Sequence, residues 1–175
     1  MPACLMSEMI AYYRSPIGTL YIKSSDDSIS DILFNDSSRG VKVEEKDISF
    51  SDDHSSPIRE CFQQLDEYFS GKRKTFSFPF QQPGTEFQKE VWAELLNIPF
   101  GKRISYQDLS KRIGNVKAIR AVGTTNGKNR ICIVVPCHRV IGSNGDLVGY
   151  GGDLWRKKWL LEHEAKYEYG VQELF

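Results

Sequence analysis

Two apolar stretches near the start of the chain, Met9 to Tyr21 and Ile29 to Phe34, read as strands. Ser24-Ser25-Asp26-Asp27-Ser28 is the turn between them, which predicts a small antiparallel sheet. Residues 35–55 are polar and acidic and predict a loop around one short strand. Apolar positions then move to helical spacing. Ser56-Pro57 supplies an N-cap and a first-turn proline, Ile58, Cys61, Phe62, Leu65, Tyr68 and Phe69 form one face, and Gly71 closes the helix. Phe76 to Phe80 alternates like an edge strand. Gln81-Gln82-Pro83-Gly84 marks a domain boundary, dividing the chain into residues 1–82 and 83–175.

The second part opens with a capping box, Thr85 to Gln88. A helix follows that buries Phe87, Val91, Trp92, Leu95 and Leu96 and ends at Pro99. Ser105 caps a short helix carrying Tyr106, Leu109 and Ile113. Gly114-Asn115 turns the chain, and Val116 to about Thr125 forms a second helix, so the pair predicts a helix-turn-helix. Ile131 to Val135 is β-branched except for Cys132 and reads as a strand buried on both faces, which Pro136 stops. A loop rich in glycine (142, 145, 149, 151, 152) leads to a last helix from Asp153 to about Ala165, with Leu154, Trp155, Trp159 and Leu161 on the core. The fold class is α+β: a small antiparallel sheet with a helix, then a mostly helical part with a winged helix-turn-helix-like motif.

Candidate chemistry concentrates in Val134-Val135-Pro136-Cys137-His138-Arg139-Val140. A thiol of pKa about 8.5 is only a few per cent thiolate at neutral pH and needs a base, commonly an imidazole. On this pair alone, a reactive cysteine and a buried structural cysteine beside a surface histidine both remain open. Cys132, on the same run, reads as a small core residue.

Charge changes the picture more than composition does. The chain has 175 residues, 40% of them hydrophobic, and no net formal charge, which suits one or two small globular domains. Yet residues 24–67 hold twelve acids against four bases, and residues 101–130 hold eight bases against Asp108 alone. Such segregation is what an electrostatic footprint for phosphates requires. The four cysteines, 4, 61, 132 and 137, lack CxxC spacing, so neither a disulfide framework nor a zinc site is expected. No signal peptide or membrane span is apparent, and a free thiol points to a reducing, intracellular setting.

Pro136-Cys137-His138-Arg139-Val140 resembles the active-site motif of the O6-alkylguanine-DNA alkyltransferases. The similarity runs from Phe87 to Glu164 through Ile104-Ser105-Tyr106-Gln107, Arg120-Ala121-Val122-Gly123, Asn129 and Trp159-Leu160-Leu161-Glu162-His163-Glu164. It is looser around Ser15-Pro16-Ile17-Gly18-Thr19-Leu20. The resemblance implies stoichiometric, irreversible transfer of an alkyl group from O6-alkylguanine in double-stranded DNA, and from O4-alkylthymine, to Cys137. It implies His138 as base, Glu164 as its orienter and Asn129 as tether of the active-site turn. Residues 1–82 would be structural support and 83–175 the alkyltransferase and DNA-binding domain.

Arg120 would fill the gap left by a flipped base, with Tyr106 crowding the neighbouring phosphate and Ala121 and Gly123 giving close approach in the minor groove. Tyr106, Val140, Tyr150, Gly151 and Gly152 would wall the base pocket. The family often has serine or alanine where Gly151 stands and a small residue where Asp153 stands. Some members carry zinc near the N-terminus, but Cys4, Cys61 and His54 do not reproduce a four-ligand pattern, so no metal and no cofactor are expected. The protein would act as a monomer, in the cytoplasm of a prokaryote or the nucleus of a eukaryote. Glu164→Gln is expected to slow transfer with the fold intact, and His163 is expected at the surface. Two alternatives are a non-catalytic alkyl-lesion DNA-binding protein and a Cys-His hydrolase.

Overall fold

The computed structural model describes residues 8–50 and 56–170. The first apolar stretch is two strands rather than one. β1 (Glu8–Ser15) and β2 (Gly18–Ser25) form a hairpin with Ser15 opposite Gly18, and β3 (Ser28–Phe34) completes an antiparallel sheet in the order β1-β2-β3. The hairpin escapes a polarity reading because its turn, Pro16-Ile17, buries Ile17. The turn is held instead by the Ser15 hydroxyl, which accepts from the Ile17 N–H at 3.2 Å. The second turn is also tighter than expected, since Ser24 and Ser25 belong to β2.

α1 (Ser56–Phe69) packs its apolar face on this sheet, burying Ile58, Cys61, Leu65 and Tyr68. No strand forms in 35–50, only an isolated bridge between Asn35 and Val41. Phe76 to Phe80 is likewise not a strand. Pro79 has no N–H to give to a ladder, and only Phe80 bridges, to Ile29. The alternating rings instead stack edge to face, Phe76 on Phe78 and Phe78 on Phe80.

α2 (Glu86–Leu95) carries the expected capping box, with both reciprocal bonds of Thr85 and Gln88 in place. It ends before Leu96, which is exposed. β4 (Ile104–Ser105) leads into α3 (Tyr106–Arg112), capped by Ser105 and Asp108. Gly114 at φ 74° makes the turn to α4 (Ile119–Gly127), a conformation that costs other residues more. α4 starts three residues later than the apolar pattern suggests, and Val116 is exposed. β5 (Val140–Ile141) pairs in parallel with β4, and α5 (Leu154–Tyr169) closes the molecule. Leu154 and Trp155 lie outside the core, which α5 meets through Leu160, Leu161 and Ala165.

The largest departure falls on 131–135. These residues are buried but fold as a tight turn, with Val134 N–H donating to Cys132 O and Val135 N–H to Ile131 O. Ile133 stands at φ 73°, which for a β-branched residue costs about 1–3 kcal/mol. A continuous apolar run fits any fully buried backbone, so its pattern could not distinguish turn from strand. The turn docks on the edge of β3: Ile32 N–H donates to Arg130 O at 2.8 Å, and Cys132 N–H donates to Ile32 O at 2.9 Å. The N-terminal sheet thus braces the segment that precedes the Cys-His pair.

Candidate active site

Cys137 does not leave a strand. It begins a one-turn 3-10 helix, Cys137–Arg139, directly after the strained turn, and is only 4% exposed. Asn129 holds this geometry from several sides. Its Nδ2 donates to Val135 O at 2.8 Å and to the Cys137 Sγ at 3.2 Å, while its Oδ1 accepts from Ile131 N–H at 3.0 Å. Gln82 then fixes the amide orientation by donating to the same Oδ1 at 3.0 Å. One side chain therefore satisfies backbone groups that the turn itself leaves unpaired and still reaches the sulfur. Asn126, from α4, donates to Cys137 O at 3.3 Å and had no signal in the sequence motifs.

His138 is fully buried, and its Nε2 lies 2.7 Å from Glu164 Oε1. Glu164, also fully buried, accepts four further hydrogen bonds, from three residues. Tyr68 Oη donates at 2.9 Å, Arg139 Nε and Nη2 at 2.9 and 2.8 Å, and Gly101 N–H at 3.2 Å. Burial alone would raise this carboxyl. His138 and the Arg139 guanidinium outweigh burial and hold it well below the usual carboxylate range. An ionised Glu164 places the imidazole proton on Nε2, leaving Nδ1 as the lone-pair nitrogen. Nδ1 is buried and has no protein partner among the described residues. Burial also pushes His138 below its ordinary value despite Glu164, so the imidazole is neutral at pH 7. The arrangement is a thiol, an adjacent imidazole in its basic form, and a carboxylate that orients it.

Burial raises the Cys137 thiol, opposed by the Asn129 hydrogen bond and by the charge of Lys157. The resting nucleophile is therefore a thiol. Cys132 is buried nearby and raised further by burial, with no base beside it among the described residues. His163, expected at the surface, is buried: it stacks on Trp159 at 4.8 Å and bonds Tyr68 O at 2.9 Å. Cys4 and His54 lie outside the described residues.

The remaining expected residues frame this centre. Tyr106, half-buried at the start of α3, donates from its hydroxyl to Val148 O at 3.1 Å, closing the glycine-rich loop over the site. Gly123 of α4 packs near the same ring, and a Cβ there would sit 3.8 Å from Tyr106 Cδ1. Arg120 and Ala121 are exposed on the first turn of α4. Val140 and Tyr150 are buried. A Cβ at Gly152 would come within 2.5 Å of the Phe34 ring, so this position is closed to any side chain. Gly151 lies under Arg39, whose N–H donates to Gly151 O at 3.4 Å. Arg39, Arg139, Tyr68 and Lys157 were not singled out by the sequence. For Lys157 a signal existed: it lies seven residues before Glu164, on the same face of α5.

Among the described residues, no helix is long and apolar enough to cross a membrane. Two models of one family match the chain: the ribonuclease-like domain of 6-O-methylguanine DNA methyltransferase over residues 9–82, and its DNA binding domain over residues 86–166. The chain is 40% identical over 155 residues to the methylated-DNA–protein-cysteine methyltransferase of Methanosarcina acetivorans, covering 89% of this chain and 97% of that one. It is similar to the crystal structure of Mycobacterium tuberculosis O6-methylguanine methyltransferase, with TM-score 0.79 and 35% identity over 92% of this chain and 94% of that one. A Mycobacterium tuberculosis OGT in complex with DNA superposes with TM-score 0.78 and 35% identity, over 90% of this chain and 93% of that one.

Proposed function

The chain belongs to the 6-O-methylguanine DNA methyltransferase family, and from that membership we propose how its own residues divide the work of repair. Its activity is that of a methylated-DNA–protein-cysteine methyltransferase, a direct-reversal DNA repair protein that is consumed as it acts. Cys137 is the acceptor. The observation that carries this assignment is the thiol held by Asn129 beside a neutral imidazole whose far nitrogen is anchored on a buried carboxylate.

The proposed substrate is double-stranded DNA containing O6-alkylguanine, with O4-alkylthymine as a second lesion. The Cys137 proton passes to His138 Nδ1, directly or through one water, and Glu164 stabilises the imidazolium that forms. The thiolate attacks the alkyl carbon, the S–C bond forms, and the C–O6 bond breaks with its electron pair going to guanine. A proton returned to the base leaves guanine and an S-alkylcysteine, so thiol and lesion account for every atom. A thioether has no hydrolytic exit, and one protein repairs one lesion.

A thiol 4% exposed cannot reach a base inside a duplex, so the nucleotide is extruded, at a cost of a few kcal/mol. Tyr106 and the loop of Val140 to Gly152 then receive it. Arg120, with Ala121 and Gly123 beside it on α4, enters the stack from the minor groove. Phosphate contacts by the basic 101–130 segment hold the duplex. Residues 1–82 support the active-site turn through β3, while residues 83–175 carry the chemistry and the DNA contacts. The protein works as a monomer in the compartment that holds the DNA.

Peptide mapping after reaction with a methylated duplex tests the acceptor: one methyl group on Cys137 is expected, and a methyl group on Cys4, Cys61 or Cys132 would refute the assignment. Arg120→Ala should slow transfer from methylated duplex by roughly tenfold or more, in line with a few kcal/mol of flipping cost. Transfer from free O6-benzylguanine, which needs no flipping, should be nearly unchanged. Equal slowing on both substrates would place Arg120 in support of the pocket instead.

A further inference from the structure

Lys157 is a fully buried lysine, and among the described residues no carboxylate lies within ion-pair distance of it. A buried ammonium without a counter-charge costs several kcal/mol, so a lysine is an expensive choice for a purely structural position. Its Nζ donates to Val148 O at 2.8 Å, the same carbonyl that receives the Tyr106 hydroxyl, and stands 5.7 Å from the centre of the Tyr106 ring. It sits on α5 two turns before Glu164, on the same helix face as that carboxylate, which binds His138 and Arg139 of the 3-10 turn. The group within its electrostatic reach that can supply a negative charge is the Cys137 thiol.

We propose that Lys157 is a positioning residue: its buried ammonium is the counter-charge of the thiolate that forms on Cys137, and its bond to Val148 holds the pocket loop over that thiolate. The inference rests on Cys137 as acceptor. The other groups that face the thiol are accounted for. Tyr106 from α3, Tyr150 from the loop and Cys132 from the strained turn are each raised by burial and neutral at pH 7, so none offsets the charge. His138, neutral beside its ion-paired Glu164, takes the proton but brings no standing positive charge. Arg139 spends its charge on Glu164, and Arg156 is paired with Asp153. Among the described residues, that leaves Lys157 as the cation available to the sulfur. Burial lowers its own pKa to about 8, so it is charged through the neutral range and gives up its proton just above it. An opposite charge within about 4–6 Å favours an ionised group by roughly 1–3 pKa units, and the low end of that range is about tenfold in thiolate population at a given pH.

The test is the pH profile, between pH 7 and 9, of single-turnover alkyl transfer from free O6-benzylguanine to the full chain. The variants are Lys157→Gln, which removes the charge but can still donate to Val148, and Lys157→Met, which removes both. Removing an unpaired buried charge is not expected to unfold the protein, and either variant alone carries the test. Both should be about tenfold slower than wild type at pH 7, with the deficit closing above about pH 8, where wild-type Lys157 loses its own charge. A deficit constant across the range, or one present in Lys157→Met and absent in Lys157→Gln, would reduce Lys157 to a loop tether and overturn the proposal. A wild-type protein that takes no benzyl group on Cys137 would instead contradict the acceptor assignment itself.

Discussion

Cys137→Ser is expected to abolish alkyl transfer, by more than about four orders of magnitude, with the fold and DNA binding retained. Serine fills nearly the same volume, and its hydroxyl can keep the bond from Asn129 Nδ2 that the sulfur accepts at 3.2 Å. What is lost is chemical. An alcohol is far less acidic than a thiol, so proton transfer to neutral His138 yields far less of the anion. Oxygen is also the harder, poorer nucleophile toward an alkyl carbon. Single-turnover rates on methylated duplex, with binding measured in parallel by fluorescence anisotropy, check both halves. Transfer surviving at the wild-type rate would move the acceptor to another cysteine.

Glu164→Gln is the second large effect, and it falls on stability as much as on rate. The sequence alone suggests that this change spares the fold, since a carboxylate at the end of a helix is usually solvated. The structure corrects that expectation. Glu164 is fully buried and, among the described residues, its hydrogen-bond partners are all donors: His138, Arg139 twice, Tyr68 and Gly101. An amide turns one acceptor into a donor against them and leaves the Arg139 guanidinium buried without its counter-ion. Breaking one partner of such a pair costs about 3–5 kcal/mol, to be read from urea unfolding. A variant as stable as wild type would show that solvent reaches this carboxylate.

The same network sets the acid limb of stability. The carboxyl of Glu164 is lowered in the folded state, so its contribution is complete above the ordinary glutamate value of about 4.3 and is lost as pH falls below it. His138, also lowered, acts in the same direction beginning near pH 6.5, because the unfolded chain takes up its proton first.

Residue chemistry made parts of this molecule readable before any coordinates. The capping box at Thr85, the cap at Ser105 and the apolar face of α1 are local signals, and each element formed where they stand. The Cys137-His138 pair and the register of Glu164 were legible through motif resemblance, and the structure brings the three onto one site. Long-range structure was not legible. The turn at 131–135 looks like a strand because burial, not period, dictates its composition, and its positive φ at Ile133 is imposed by Asn129 and the edge of β3. Tyr68 reads as one more apolar helix position, yet its hydroxyl crosses 96 residues of sequence to reach Glu164. Arg139 and Lys157 read as ordinary cations, because nothing local in a sequence tells a buried charge from a solvated one.

Intact mass of the wild-type protein after mixing with increasing amounts of an O6-methylguanine duplex tests the central claim most directly. The mass should rise by one methyl group in place of one hydrogen, in proportion to the lesion added, and stop at one equivalent with repair ceasing at the same point. Repair that continues past one equivalent with the protein mass unchanged, or lesion binding with no covalent gain at all, would contradict it.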